Sequence, residues 1–488
     1  MTKSTAPFAL VLPPREPKTP ATRWLYASLR AEILAGRLRP ASRLPATRDL
    51  ARQYHLSRGT VVSAFEELKA EGYLDGSRGS GTYVSRVLPE HLLQVPSKPA
   101  QPDTNRIEPS RKLSTYAKRL YTPPEDWNRP VRAFRANLPA LDLFPTTIWT
   151  RLATRRLQRL SMRQMIGCDA MGYAPLRTAI ADYLNASRGV KCAPEQVMIV
   201  SGTQEAIDLA CRLVLNYGDR VCIEEPGYPE AVLSFAAIGA KITSVPVDAE
   251  GMKLPATRSS APRLIYVTPG HQFPLGITMS LHRRLQLLEW ARQSHALIFE
   301  DDYDSEFRYS GRPIPALQGL DRHNLVLFVG TFSKVLFPAI RLGYLVLPPA
   351  LIDRFASAKS LLNRHAPPFE QSVLSDFITE GHFARHLRRM REIYAERLSA
   401  LMESAQQKLA GLVEISGIEA GLQTIAWLKQ GSDIEAAKQA AARKIEARPL
   451  SSMYRGPAKR QGLQLGFAAI NEKEIRRGTQ ELAIALNA

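Results

Sequence analysis

The sequence predicts two units of different fold class: a small, mainly helical N-terminal unit closed by a β-hairpin, and a larger α/β unit built on a largely parallel sheet. Three observations carry this. The 488 residues exceed one domain at roughly 150 residues each. Residues 87–130 hold eight prolines among polar residues, a composition that favours extended chain over packing and reads as a linker. Beyond it, strand-length apolar runs alternate with amphipathic helices, the pattern of a largely parallel sheet. With 45% hydrophobic and 23% charged residues, the chain is globular. Its longest apolar runs, such as Leu325 to Val329, are far short of the roughly 18 residues of a membrane span. The N-terminus carries no readable secretory signal, so a cytoplasmic protein without membrane contact is expected. Cys168, Cys192, Cys211 and Cys222 form no CxxC pair, which argues for reduced thiols and against a disulfide framework or a metal site.

The first unit spans residues 22–86. A helix with Leu25, Leu29 and Ile33 on one face stops at Gly36. Leu44-Pro45 leads into a short helix ending near Tyr54, and Ser57 is placed to cap the next. In that helix Val61, Val62, Phe65 and Leu68 are expected to face the core, leaving Arg58, Gly59, Thr60 and Ser63 exposed near its N-terminal half, where recognition helices read bases. A glycine-rich hairpin, Asp75 to Val84, follows as a wing. Residues 1–120 hold 20 Lys+Arg against 10 Asp+Glu, so this end supplies +10 of the chain's +19, and a polyanionic partner is expected.

The second unit spans residues 131–488. Val197 to Val200 reads as a strand, and Ser201-Gly202-Thr203-Gln204 stands where it gives way to a helix, so free N–H groups and the helix dipole would favour a phosphate. Strands at Arg220 to Ile223 and Leu264 to Val267 follow. Glu300-Asp301-Asp302-Tyr303 ends another buried strand, placing acids and a phenol at the carboxyl edge, where open α/β sheets bind ligands. Gly330-Thr331-Phe332-Ser333-Lys334 ends the strand from Leu325, and its hydroxyls and lysine suit a phosphorylated aldehyde.

The set L-P-A-T-R-D-L-A, L-S-R-G-T-V, F-E-E-L-K-A-E-G-Y-L and G-S-G-T-Y-V resembles the GntR-type winged helix-turn-helix family. That resemblance implies DNA binding through Arg48, Ser57, Arg58, Thr60 and the wing-tip residues Gly79 and Gly81; Arg37, Arg39, Arg43 and Arg52 fit a solvated or loosely phosphate-steering face. Ser-Gly-Thr-Gln, Glu-Pro-Gly-Tyr (225–228), Thr-Pro-Gly-His-Gln-Phe-Pro-Leu-Gly (268–276), the Glu300 segment and Gly-Thr-Phe-Ser-Lys…Arg-Leu-Gly (330–343) resemble the fold-type I, pyridoxal-phosphate-dependent aminotransferases. The whole chain from about Thr22 resembles MocR-type transcriptional regulators. The implied architecture is a winged helix-turn-helix plus an α/β fold-type I aminotransferase-like domain with a smaller C-terminal α+β subdomain. The implied cofactor is pyridoxal 5'-phosphate (PLP). Lys334 would form its Schiff base, Asp301 would pair with the pyridine nitrogen, Tyr303 would reach the phenolic oxygen and Tyr228 would stack on the ring. Gly202, Thr203, Gln204, Thr331, Ser333 and Arg341 would hold the phosphate.

Departures bear on function. Phe273-Pro274-Leu275-Gly276 replaces the Asn-Pro-x-Gly usual in aminotransferases and looks like the regulators. Gln464 stands where amino-acid-processing relatives place an arginine for the substrate carboxylate, with Arg455 and Arg460 nearby. The expected function is a PLP-dependent, DNA-binding transcriptional regulator that senses PLP or an amine effector, working as a homodimer on duplex DNA. The alternative is an active aminotransferase carrying a DNA-binding arm, distinguished by whether full transamination runs at a metabolic rate.

Overall fold

The computed structural model describes residues 10–77, 81–88, 112–121, 130–254, 261–311, 314–415 and 417–487, and the chain divides into two compact units at Arg111/Lys112. In the first, helices α1 (Ala21–Leu34), α2 (Thr47–Gln53) and α3 (Arg58–Ala70) are followed by an antiparallel pair, β1 (Leu74–Ser77) and β2 (Gly81–Val84). Leu25, Leu29 and Ile33 of α1 pack with Leu50, Val61, Ala64, Phe65 and Leu68. Val62 is a correction: it is exposed and Ala64 takes the inward position. Neighbouring residues on a helix lie about 100° apart, so a stripe through 61, 64, 65 and 68 turns residue 62 away from the core. Upstream of residue 22, Leu10 and Leu12 join the same core, and the Leu12 N–H donates to the Tyr54 hydroxyl at 2.9 Å. Gly79 lies outside the described residues.

The stretch read as linker contains a short helix, Thr115–Arg119, capped by Ser114, whose hydroxyl accepts from the Ala117 N–H at 3.1 Å. It packs on the helix Pro229–Ile238. The Arg119 guanidinium sits 4.7 Å over the Tyr217 ring. Gly239, which ends Pro229–Ile238 at φ +83°, leaves no room for a side chain: an added Cβ would lie 2.5 Å from Arg119 Nη1. Proline content alone hid this docked turn.

The second unit has strands β3 (Val197–Val200), β4 (Arg220–Glu225), β5 (Lys241–Asp248), β6 (Gly251–Met252), β7 (Leu264–Val267), β8 (Leu297–Asp302), β9 (Val326–Thr331) and β10 (Gly343–Val346), in the order β3-β10-β9-β8-β7-β4-β5-β6. The run β9-β8-β7-β4-β5 is parallel; β10 is antiparallel to both neighbours, and β6 is antiparallel to β5. The inner strands β9, β8, β7 and β4 are largely buried on both faces, each face covered by its own buried cluster, whereas β5 toward the sheet's edge is polar and mostly uncovered. A second, fully antiparallel sheet, β11 (Val413–Ile415), β12 (Gln423–Leu428), β13 (Arg448–Pro449) and β14 (Gly462–Gly466), in the order β11-β12-β14-β13, forms the C-terminal α+β part with the helices Asp433–Ala442 and Glu472–Leu486. No helix among the described residues is long and apolar enough to cross a membrane.

Candidate cofactor site and nucleic-acid interface

At the recognition helix, the Ser57 hydroxyl accepts from the Thr60 N–H at 3.0 Å and lies 2.8 Å from the Thr60 hydroxyl. This cap fixes where α3 begins and therefore which residues its first turn presents. Arg58, Gly59, Val62 and Ser63 are exposed on that turn and the next, and Arg48 is exposed on α2. The exposed Arg37 guanidinium binds Glu32 through two bonds, at 2.6 and 2.8 Å. Arg43 lies beside Gly81 at the base of the wing, its backbone bridging to Tyr83.

In the second unit the carboxyl ends of β8 and β9 converge on Lys334. Alternation along β8 sorts its acids. Glu300 accepts from the backbone N–H groups of Leu317 and Gln318, at 2.8 and 2.9 Å, and Asp302 binds the Arg188 guanidinium at 2.6 Å. Asp301, on the other face, takes a 2.6 Å bond from the Tyr266 hydroxyl on Oδ2 and leaves Oδ1 buried without a partner among the described residues. Burial pushes the Asp301 carboxyl up to about 7, against the lowering effect of the Tyr266 bond. Burial pushes the Lys334 amine down to about 8, opposed by the charges of Asp304, Glu230 and Asp301. The amine donates to the Asn137 carbonyl at 2.8 Å.

Tyr228 caps the helix Pro229–Ile238 and meets Phe273 edge-on, with centroids 5.6 Å apart; Tyr303 meets Phe273 from another side at 6.0 Å. The Tyr303 hydroxyl lies 3.0 Å from His271 Nδ1, which is also 2.8 Å from Asp304 Oδ1. His271 and Asp304 are 33 residues apart, so only the fold reveals them as a pair.

The expected phosphate groups also meet. Gly343 on β10 lies between Thr331 and Val200 in register. A Cβ added at Gly202, whose φ is +127°, would stand 3.8 Å from the Arg341 guanidinium, so the glycine keeps the approach to the helix Thr203–Val214 open. The first N–H groups of that helix have no carbonyl one turn back to receive them. Thr331 Oγ1 accepts from the Ser333 N–H at 3.2 Å, tightening the turn before Lys334. The Gln204 side chain is exposed and donates to Ser234 Oγ, leaving that residue's backbone as its share of the cup. The sequence also gave no sign of what holds this helix start: Glu205 accepts from the Ser201 N–H at 2.6 Å and pairs with the fully buried Lys359 at 2.5 Å.

These residues suit PLP. The orphaned Asp301 oxygen matches a protonated ring nitrogen, the helix start and Arg341 match a phosphate, and the buried amine matches an aldehyde.

Residues 146–482 match the aminotransferase class I and II family and residues 22–84 the bacterial regulatory proteins of the gntR family. The chain is 41% identical to the probable rhizopine catabolism regulatory protein MocR of Rhizobium meliloti, over 96% of this chain and 94% of that protein. It is 30% identical to the pyridoxine biosynthesis transcriptional regulator PdxR of Corynebacterium glutamicum, covering 99% of both. Among solved structures, Pyrococcus horikoshii kynurenine aminotransferase matches 74% of this chain and 91% of its own, with TM-score 0.68 and 27% identity. The α-aminoadipate aminotransferase LysN of Thermus thermophilus matches 77% and 97%, with TM-score 0.69 and 26% identity. Likeness runs through both units and the segment joining them, and the chain belongs to the MocR-type transcriptional regulators, in which a GntR module is fused to an aminotransferase-like domain.

Proposed function

We propose that this regulator holds PLP at Lys334 and that the cofactor, or an amine reacting with it, biases how a homodimer's GntR modules engage duplex DNA in the cytoplasm. The observation that carries the reading is the buried Lys334 amine set in the field of Asp301, whose Oδ1 has no partner among the described residues. When bound, PLP supplies an aldehyde that condenses with amines and a ring that withdraws electrons. The chain's own groups do the rest. Asp301 Oδ1 would accept the ring N–H, with Tyr266 holding that carboxyl in place. Tyr303, which lies beside His271, would donate toward the ring's phenolic oxygen. Tyr228 would cover the ring, while Gly202, Thr203, Gln204, Thr331, Ser333 and Arg341 would take the phosphate through backbone N–H groups, hydroxyls and guanidinium. On DNA, Arg58 and Thr60 address base edges or phosphates from the capped start of α3, Arg48 a phosphate, and Gly79 and Gly81 the wing's groove.

The test is cofactor absorbance and promoter binding in Lys334→Ala, with the exposed Lys438→Ala as control. Loss of the visible band in the first alone supports the site; a Lys334→Ala protein that keeps the band refutes it. A second reading, a working aminotransferase with a DNA-binding arm, is favoured by the complete set Lys334, Asp301, Tyr303 and Tyr228. Sustained keto-acid production from an amino acid would establish it.

A further inference from the structure

One face of the C-terminal sheet carries buried amide groups left without partners among the described residues. Gln464 on β14 is fully buried, and neither its Nε2 nor its Oε1 has a hydrogen-bond partner among the described residues. It stands opposite Ile425 on β12, and Ile425 belongs to one buried cluster with Tyr303 and Phe273, so Gln464 and Ile425 share the face of the sheet on which that cluster lies. Two residues earlier on the same face, Gln423 Oε1 accepts from the Asn137 N–H at 3.1 Å, and the Asn137 carbonyl accepts from Lys334. Gln423 Nε2 is likewise buried and unpartnered. A buried amide group left unsatisfied costs roughly 1–3 kcal/mol, so a chain that keeps these on the face linked through Asn137 to Lys334 has a use for them.

The charges nearby are mostly acidic. Asp301, Asp304 and Glu230 act on Lys334, and Glu230 Oε2 is buried without a partner among the described residues. The arginines read from sequence as substitutes for Gln464 are engaged elsewhere. Arg460 binds Glu414 and lies 4.5 Å over the Trp427 ring, and Arg455 donates to the Ile242 carbonyl at 3.1 Å. Arg448, opposite Gln464 on the edge strand β13, is only half-buried.

Resting on the reading that PLP sits at Lys334, we infer that Gln464 and Gln423 form a subsite for a primary amine whose α-carbon carries a neutral donor–acceptor group, a carboxamide or hydroxyl, in place of a carboxylate. The Gln464 amide gives one bond and takes one from such a group, Gln423 Nε2 gives another, and Glu230 draws in the ammonium. A carboxylate only accepts, so it would find the Gln464 carbonyl without a donor to offer it, and it would approach Asp301, Asp304 and Glu230 around Lys334.

Full-length, PLP-loaded protein is titrated calorimetrically with L-leucine, L-leucinamide and L-leucinol, which share an amine and a side chain and differ in the α-substituent. The amide and alcohol are expected to bind at least about tenfold tighter than the acid, and Gln464→Arg to reverse the order. Amine basicity differs among the probes but is the same for both proteins, so the wild-type-to-variant ratio isolates residue 464. Gln464→Met is expected to melt no lower than wild type, since it removes an unsatisfied amide, yet to lose the discrimination. L-Leucine binding wild type as tightly as L-leucinamide, absent binding of all three, or a preference lost in Arg448→Ala but kept in Gln464→Met would each overturn the inference. A protein that never acquires the Lys334-dependent band refutes the cofactor reading instead, so the two failures are distinguishable.

Discussion

Asp301→Asn is expected to stabilise the cofactor-free protein while weakening its hold on PLP. Burial raises the folded-state value of this carboxyl from its ordinary 3.8 to about 7. The folded chain therefore binds the proton more tightly than the unfolded one, and stability falls as pH rises between those two values. At pH 8 the full penalty corresponds to about 4 kcal/mol. The asparagine removes it but buries an NH2 donor without a partner at a cost of about 1–3 kcal/mol, leaving a net gain of about 1–3 kcal/mol. The Tyr266 hydroxyl keeps an acceptor in the carboxamide oxygen. With cofactor the sign reverses: the charge-assisted bond to the ring nitrogen, worth about 1.5–3 kcal/mol, is lost, and PLP binding weakens by roughly 10- to 150-fold. Denaturant unfolding of PLP-stripped proteins at pH 8 and pH 5 gives the first quantity, and PLP titration followed by absorbance the second. The apo advantage should shrink at pH 5, where folded wild-type Asp301 is protonated. Wild-type stability that is flat with pH, together with a variant no more stable at pH 8, would refute the reasoning.

Three further outcomes follow from the geometry. Lys359→Met strands Glu205 at the start of the helix Thr203–Val214 and should cost about 3–5 kcal/mol in denaturant unfolding; the same change at Lys438, which is exposed, should be silent. Arg58→Ala should weaken promoter binding by about 1–3 kcal/mol and relax sequence preference, whereas Arg48→Ala should weaken all duplexes alike and reduce the salt slope by about 1, both read from mobility shifts over a salt series. Arg119→Ala removes the guanidinium from the Tyr217 ring and should speed proteolytic cutting within residues 112–121.

Local signals were legible where the physics is local. The Ser57 cap, the Pro-led start of α2 and the Gly-Thr helix start at 202–203 stand where the sequence put them, while the buried strands expected to end at Glu300 and Val329 each run two residues further, to Asp302 and Thr331. Apolar identity without helical phase misplaced Val62. Pairs joined across long stretches of chain were invisible: His271 with Asp304, Glu205 with Lys359, and the register that sets Gln464 against Ile425. Each depends on strand order or on which helix covers which face, and residue spacing encodes neither. The Thr115–Arg119 turn was masked by surrounding prolines, although its Ser114 cap was in plain view.

The helix Pro229–Ile238 is about 15 Å long at 1.5 Å per residue. Tyr228 caps its start and Glu230 lies in its first turn, Ser234 in its middle accepts from Gln204, and Gly239 at its end lies against Arg119 of the turn Thr115–Arg119. A hydrogen-bonded helix behaves as a stiff rod over that distance. One stiff element therefore spans from the Tyr228–Phe273 contact to the Arg119–Tyr217 contact, so a displacement of either end is shared by the other.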